Sequence, residues 1–268
     1  MALWHLFLLA VLQGVTEFLP ISSSGHLILL PALTGLPDQG TLLDVAVHVG
    51  TLGAVVAYFR RDVARALRGV AGLVRGRRNA ETRLALGLAI ATVPVVLAGL
   101  AVKLTIGTDA LRSVALIGWT TLGFGLLLGL YDRIGPQAKG EPDWTPMQAL
   151  RFGLWQALAL IPGTSRSGIV ITGARAMGYA RTEAARLAML MSIPTILASG
   201  LLLSLDLRDA TDWTLAGDAA IGAAFAFAAA LAALHLMMRL LASISFLPYV
   251  LYRVALGTAL LVYAYGYA

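Results

Sequence analysis

A polar, helix-breaking stretch occurs twice in this chain, each time inside apolar sequence: Gln13-Gly-Val-Thr-Glu-Phe-Leu-Pro-Ile-Ser-Ser-Ser-Gly25 and Gln156-Ala-Leu-Ala-Leu-Ile-Pro-Gly-Thr-Ser-Arg-Ser-Gly168. Aligned without gaps, the copies share Gln, two Ser and the closing Gly, with a Pro near the middle of each. The chain around them is 59% hydrophobic and 13% charged, about half the charge of a soluble domain, which marks an integral membrane protein. In hydrocarbon, irregular backbone is tolerated only where protein buries it or where it lines a wet cavity. Two related copies therefore point to one internal site built from both halves of the chain.

Six stretches, approximately 42–59, 84–104, 112–131, 185–205, 216–238 and 247–267, are apolar for long enough to cross roughly 30 Å of hydrocarbon. Two further apolar regions, about 3–34 and 147–177, are interrupted by the repeated stretches. Only about fifteen residues precede Pro20, roughly 20 Å of helix, so each of these regions is predicted to be a re-entrant helical hairpin. Each half then holds one hairpin and three spans. Three is odd, so the second half is inverted relative to the first. The expectation is a single all-α membrane domain over 1–268. It has six transmembrane helices and two re-entrant hairpins, in inverted repeats of approximately 1–134 and 145–268.

Charge sets the orientation. Arg60, Arg61, Arg65, Arg68, Arg75, Arg77, Arg78 and Arg83 share one side with Arg133, Lys139, Arg151, Arg175, Arg181, Arg186 and Arg239. The other side receives only Lys103, Arg112 and Arg208, with Asp38, Asp109, Asp206, Asp209, Asp212 and Asp218. The basic side is predicted cytoplasmic, the 60–83 segment a cytoplasmic loop, and both termini periplasmic. The net charge of +6 is thus topological and does not indicate nucleic acid; contact of the Arg run with anionic lipid is a secondary consequence. The opening Met1-Ala-Leu-Trp-His lacks a basic n-region, so no cleaved signal peptide is expected. With no cysteine in the chain, disulfides, thiolate metal sites and Cys nucleophiles are excluded. Trp4, Trp213, Tyr263, Tyr265 and Tyr267 read as interfacial anchors. Gly125-Leu-Leu-Leu-Gly129 and the Ala-rich 219–233 run read as helix-packing faces. Whether those faces meet within one chain or between copies, as in a homodimer, is left open at this point.

An ionised side chain at the bilayer centre costs about 2.5–3.5 kcal/mol even on the lenient insertion scale, which makes Glu17 and Arg166 conspicuous. Ser22, Ser23, Ser24 and His26 follow Glu17, while Thr164, Ser165 and Ser167 flank Arg166. A Glu–Arg pair fastening the hairpins explains the charges but not the accumulated hydroxyls. The Arg fork suits phosphate oxygens, and broken helices offer backbone N–H groups to anions. A carboxylate beside an anion site implies a base or a divalent cation, and Mg²⁺ is commonly held by one or two carboxylates plus substrate phosphates. The set points to a phosphorylated, membrane-dissolved substrate with a metal between its phosphate and Glu17. A Ser supplies a nucleophile, with Glu17 or His26 as base.

These residues closely resemble the undecaprenyl-pyrophosphate phosphatases of the bacitracin-resistance family. The resemblance rests on Gln13-x-x-x-Glu17-Phe-Leu-Pro-Ile-Ser-Ser-Ser-Gly-His26, Pro162-Gly-Thr-Ser-Arg-Ser-Gly168 and the ending Phe246-Leu-Pro-Tyr-Val-Leu-Tyr-Arg253-x-x-x-Gly257, and so covers essentially the whole chain. It implies a bacterial inner-membrane enzyme that removes the terminal phosphate of the C55 isoprenoid pyrophosphate, regenerating the cell-wall lipid carrier with the help of a divalent cation, Mg²⁺ or alternatively Ca²⁺. Carried onto this sequence, the family's functional positions fall on Gln13, Glu17, Ser22, Ser23 and His26, and on Ser165, Arg166 and Ser167. Ser24 joins them as a substrate contact, with Glu17 the metal ligand. Two positions depart from the family pattern. Gln13 stands where many members carry a first Glu, and Val170 where a Thr is common. Thr172, two residues on, is turned by about 200° on a helix.

His5, His48 and His235 have no ligand-spaced partner and read as packing or interfacial residues; Arg253, inside the last span, pairs with a carbonyl or snorkels. The competing function is a polyprenyl-phosphate flippase, since inverted repeats with broken helices typify transporters. Ser23 and Glu17 favour chemistry, because a pure carrier needs no nucleophile beside its anion site.

Overall fold

The hydrophobic stretches fold as helices throughout the computed structural model, which describes residues 3–23, 25–27, 40–105, 113–206 and 216–266. The helices are α1 Leu3–Phe18, α2 Thr41–Tyr58, α3 Arg60–Val74, α4 Ala80–Thr105, α5 Val114–Ile134, α6 Pro146–Ala157, α7 Arg166–Ala176, α8 Arg181–Asp206, α9 Ala216–Leu240 and α10 Leu247–Gly266. The chain is all-α, as expected. Five helices, α4, α5, α8, α9 and α10, are long and apolar enough to cross a membrane, and α2 with α3 passes the same test as a pair bent by 89°. The protein is a multi-pass membrane protein. Of the residues singled out in the sequence, Ser24, Arg112, Arg208, Asp38, Asp109, Asp209, Asp212, Trp213 and Tyr267 lie outside the described residues.

One element departs from the sequence reading. Residues 60–74, expected as loop, form α3, turned sharply away from α2 at Phe59. The turn is fixed by packing: Gly69 and Gly72 face α4 so closely that an added Cβ on Gly69 would collide with the Glu81 carbonyl oxygen. Ion pairs add to the seat. Arg65 donates both guanidinium arms to Glu141, at 2.6 and 3.0 Å, and Arg186 joins Asp62, Glu141 and Glu183. Burial opposes ionisation of Glu141, but the hydrogen bonds from Arg65 and Arg186 outweigh it and hold the carboxyl below its usual range. Close by in sequence, buried Asp132 gathers Arg175, Arg181 and the Phe246 backbone N–H, which brings the end of α5 and the starts of α8 and α10 to one end of the bundle.

The small-residue faces meet within the chain. Gly125 and Gly129 of α5 lie against Arg253 and Val250 of α10. Gly14 of α1 faces Ala226, Ala229 and Ala230 of α9, and Gly50 of α2 approaches Ala223. While α1 packs on α9, α6 packs on α4, with Gly153 against Ala91 and Pro94. Within the second hairpin, Gly173 of α7 lies under Trp155 of α6. Both are nine positions from Thr164, so the chain doubles back there.

Candidate active site

Helix α1 ends at Phe18 because Pro20 cannot extend it. Its last turn carries Glu17, and Gln13, one turn earlier on the same face, donates Nε2 to Glu17 Oε2 at 2.9 Å. The chain then bends through Ser22, whose φ of 77° lies in the left-handed region. Its Oγ accepts the Gly25 N–H at 3.3 Å. This bend returns Ser23 to the helix it left: Ser23 Oγ donates to Glu17 Oε2 at 2.6 Å.

The second stretch repeats the device. Helix α6 gives way to a 3₁₀ turn at Leu158–Leu160, then Pro162 and Gly163, the latter at φ 85°. Ser165 follows at φ 70° and caps α7, its Oγ accepting the Gly168 N–H at 3.1 Å. Ser22 and Ser165 are the two non-glycine residues with positive φ among those described, and they occupy the same position in the two aligned copies. Such strain costs of order 1–3 kcal/mol and gathers at functional sites. The next position holds Ser23 in one copy and Arg166 in the other, and both reach Glu17: Arg166 Nη2 donates to Glu17 Oε1 at 2.8 Å. Ser167 Oγ donates to the Leu19 carbonyl at 3.0 Å and lies 3.2 Å from Ser165 Oγ. The two broken segments therefore meet.

Arg253 locks this meeting. Fully buried on α10, its guanidinium donates to the carbonyls of Thr121 (3.1 Å), Gly163 (3.1 Å), Pro20 (3.4 Å) and Thr120 (3.5 Å). It thus pairs with carbonyls, of both tips at once, and does not snorkel.

Between the tips lies a cavity of about 180 Å³, bordered by Glu17, Ser23, His48, Ser165 and Arg166, with Thr195 and Ser199 of α8. Glu17 is 8% exposed. Two buried atoms here have no protein partner, Arg166 Nη1 and Gln13 Oε1. The first is a cationic donor left for an anion; the second is an acceptor oxygen. Among the described residues no three His, Cys, Asp or Glu side chains cluster as a metal site, and of the residues that line the cavity Glu17 is the one carboxylate. That donor set, with the Gln13 amide oxygen in reserve, fits a cation that takes one protein carboxylate and completes its shell with phosphate and water.

The structure distributes the other predicted residues differently. His26 lies on the helical turn 25–27, where Nδ1 donates to the Ser22 carbonyl at 2.6 Å, while Nε2 meets the Tyr252 hydroxyl and the ring stacks on Tyr252. Both ring nitrogens are therefore engaged away from Glu17. Ser22 and Ser165 serve as caps as well as neighbours of the site. Val170 is buried in α7, and Thr172 turns its hydroxyl to the Gly168 carbonyl at 2.7 Å, so it does not stand in for the missing Thr. His5 packs beside Trp4 and His235 beside Tyr58. His48 is the correction: Nε2 lies 3.9 Å from Glu17 Oε2, and Nδ1 is occupied by the Asp44 carbonyl at 2.7 Å. A signal existed in the polar stripes Asp44, His48, Thr51 and Ser192, Thr195, Ser199, whose members recur at three- and four-residue spacing on otherwise apolar spans.

Residues 6–259 match the family model described as bacitracin resistance protein BacA. The chain is 63% identical to the undecaprenyl-diphosphatase of Ruegeria pomeroyi over 267 residues, covering 99% of this chain and 100% of that protein. It is 63% identical to the undecaprenyl-diphosphatase of Dinoroseobacter shibae at the same coverage. It is 47% identical to the undecaprenyl-diphosphatase of Nitrosococcus oceani over 263 residues, 98% of each chain.

Proposed function

The chain belongs to the bacitracin resistance protein BacA family, and from this we propose that it hydrolyses undecaprenyl pyrophosphate to undecaprenyl phosphate and inorganic phosphate. The product is the lipid carrier of cell-wall synthesis, and its recycling underlies resistance to bacitracin. One observation carries the reading: the half-buried Arg166 spends one guanidinium arm on Glu17 and leaves its buried Nη1 without a partner at the cavity. A planar cation half-used by a carboxylate suits a phosphate oxygen.

The terminal phosphate sits against Arg166 and the N-terminal end of α7, where the helix dipole favours negative charge. Ser23 Oγ attacks its phosphorus as Glu17 takes the hydroxyl proton along the existing hydrogen bond. The bond to the bridging oxygen breaks, undecaprenyl phosphate leaves, and water releases phosphate from Ser23. Glu17, with Gln13 Oε1 nearby, would hold a divalent cation, Mg²⁺ or Ca²⁺, which would supply neutralisation of charge on the phosphates. Ser167 ties the second tip to the first through the Leu19 carbonyl, Ser22 and Ser165 cap the turn within each tip, and His26 with Tyr252 borders the first tip from the α10 side.

Purified protein in detergent, offered the C55 pyrophosphate across a Mg²⁺ titration, should release phosphate, and chelation should lower the rate. Arg166→Lys should insert and fold yet lose about 10²-fold or more in turnover, since a point charge does not reproduce the fork. Near-wild-type turnover in Arg166→Lys would reduce this residue to a fastening of the hairpins. The paired left-handed serines, and the exchange that sets α1 on α9 but α6 on α4, support an inverted repeat of 1–134 and 145–268. That architecture also favours the second reading, a polyprenyl-phosphate flippase. Phosphate release in detergent separates the two, because transport needs compartments and hydrolysis does not.

The protein resides in the bacterial inner membrane with both termini periplasmic, supported by the one-sided distribution of Arg and Lys. A reporter at the C-terminus should be active only as a periplasmic fusion, and one within 60–83 only as a cytoplasmic fusion. Both on one side would refute the arrangement.

A further inference from the structure

Helix α3 and the turn after it are not used by the chemistry above, yet they hold the densest charge in the molecule. The helix sits on α4 through Gly69 and Gly72. Its opposite face therefore presents Leu67, Val70, Ala71 and Val74, spaced i, i+3, i+4 and i+7; Leu67 is 66% and Val74 87% exposed. Arg61, Arg68 and Arg75 recur every seven residues along one border of that stripe. The 89° bend from α2 lays the stripe across the direction of the spans, where an amphipathic helix meets the boundary between acyl chains and headgroups.

The arginines of this region differ in their pairing. Arg65 is consumed by Asp62 and Glu141, and Arg68 by Glu81. Arg77, Arg78 and Arg83 pair with no carboxylate among the described residues. These three line a groove of about 680 Å³ between the end of α3 and the start of α4, whose walls include Leu73 and Leu86. Three unpaired guanidinium groups beside aliphatic walls, at the level of an interfacial helix, match one chemistry: a phosphate attached to acyl chains. We propose that this groove binds the headgroup of an anionic phospholipid, with its acyl chains along Leu73 and Leu86 and the adjoining stripe of α3 in the same leaflet.

The test uses the full-length protein in a mild non-ionic detergent, titrated with tail-labelled phosphatidylglycerol and phosphatidylcholine of equal chain length and read by fluorescence anisotropy. The wild type should prefer phosphatidylglycerol, and raising salt from about 0.05 to about 0.5 M should erode that preference. Each basic residue near a charged lipid surface contributes about 1 kcal/mol, roughly fivefold. The triple variant Arg77→Gln, Arg78→Gln, Arg83→Gln should therefore bind phosphatidylglycerol about a hundredfold more weakly, with phosphatidylcholine unchanged. The matching triple Lys variant, which keeps the charge, should retain most of the preference and guards against misfolding of the Gln variant. Equal binding of the two lipids by the wild type overturns the proposal, as does an unaltered preference in the Gln variant. So does displacement of phosphatidylglycerol by an equal concentration of inorganic phosphate, which would assign the groove to free anions.

Discussion

Ser23→Ala is expected to lower phosphate release by about 10³-fold or more while the pyrophosphate lipid still binds, because only the attacking oxygen is removed. The expectation rests on the 2.6 Å hydrogen bond from Ser23 Oγ to Glu17 Oε2, which places a hydroxyl and its proton acceptor together in a cavity that also holds Arg166. Arg166 and the α7 N-terminus are untouched by the change, so affinity should move little. Glu17 keeps Gln13 and Arg166 as partners, so the site should not collapse. Rapid-quench measurement of phosphate release with equilibrium lipid binding in parallel separates the two effects. Wild-type turnover in Ser23→Ala would move the attack to water and leave Ser23 as a partner that orients Glu17.

Arg253→Met should damage activity far more than stability. The substitution removes a buried cation with no carboxylate partner among the described residues, and relief of that desolvation offsets part of the loss. Against this, the Pro20 and Gly163 carbonyls lose a donor, at about 1–3 kcal/mol for a buried group left unsatisfied. The net expectation is a modest fall in melting temperature in detergent. Turnover is another matter, since Arg253 is the side chain that bonds to both broken segments from outside them. Shifts of about 1 Å between catalytic groups cost about 10²-fold, and a loss of that size is expected here. Arg253→Lys, able to reach fewer carbonyls, should fall between. Full activity in Arg253→Met would show that the Arg166–Glu17 and Ser167–Leu19 contacts hold the tips unaided.

How far the site was legible in the sequence depends on the kind of information each residue carries. Glu17, Ser23 and Arg166 were legible because ionised or polar groups in broken helices inside hydrocarbon have few reasons to exist. Even the bend that joins Ser23 to Glu17 was implied by Pro20 between them. His48 was not, and the reason is rotational. A lone His on an apolar span can face lipid, core or site, and periodicity alone does not say which. The close approach of Gly50 to Ala223 of α9 sets that rotation: two residues away on a helix is about 200°, so seating Gly50 on α9 turns His48 toward Glu17. His26 shows the converse, since proximity in sequence placed it with Ser23 while Tyr252, far along the chain, claims its ring. The 60–74 segment read as loop because its charge masked its period; the Gly69 and Gly72 face that seats it on α4 has meaning only once α4 is beside it.

The sequence alone determined the membrane-embedded all-α class, the long apolar stretches that become α4, α5, α8, α9 and α10, and the doubled motif that supplies the candidate site. These are written in local quantities, namely apolar length, helix-breaking residues and charge. Tertiary structure decided which faces of those spans look inward. It also showed that one arginine clasps both tips and that Ser22 and Ser165 share a left-handed turn. The inward faces and the Arg253 clasp are fixed by contacts between residues far apart in the chain, such as Gly50 with Ala223 and Arg253 with Pro20 and Gly163, which no local pattern encodes.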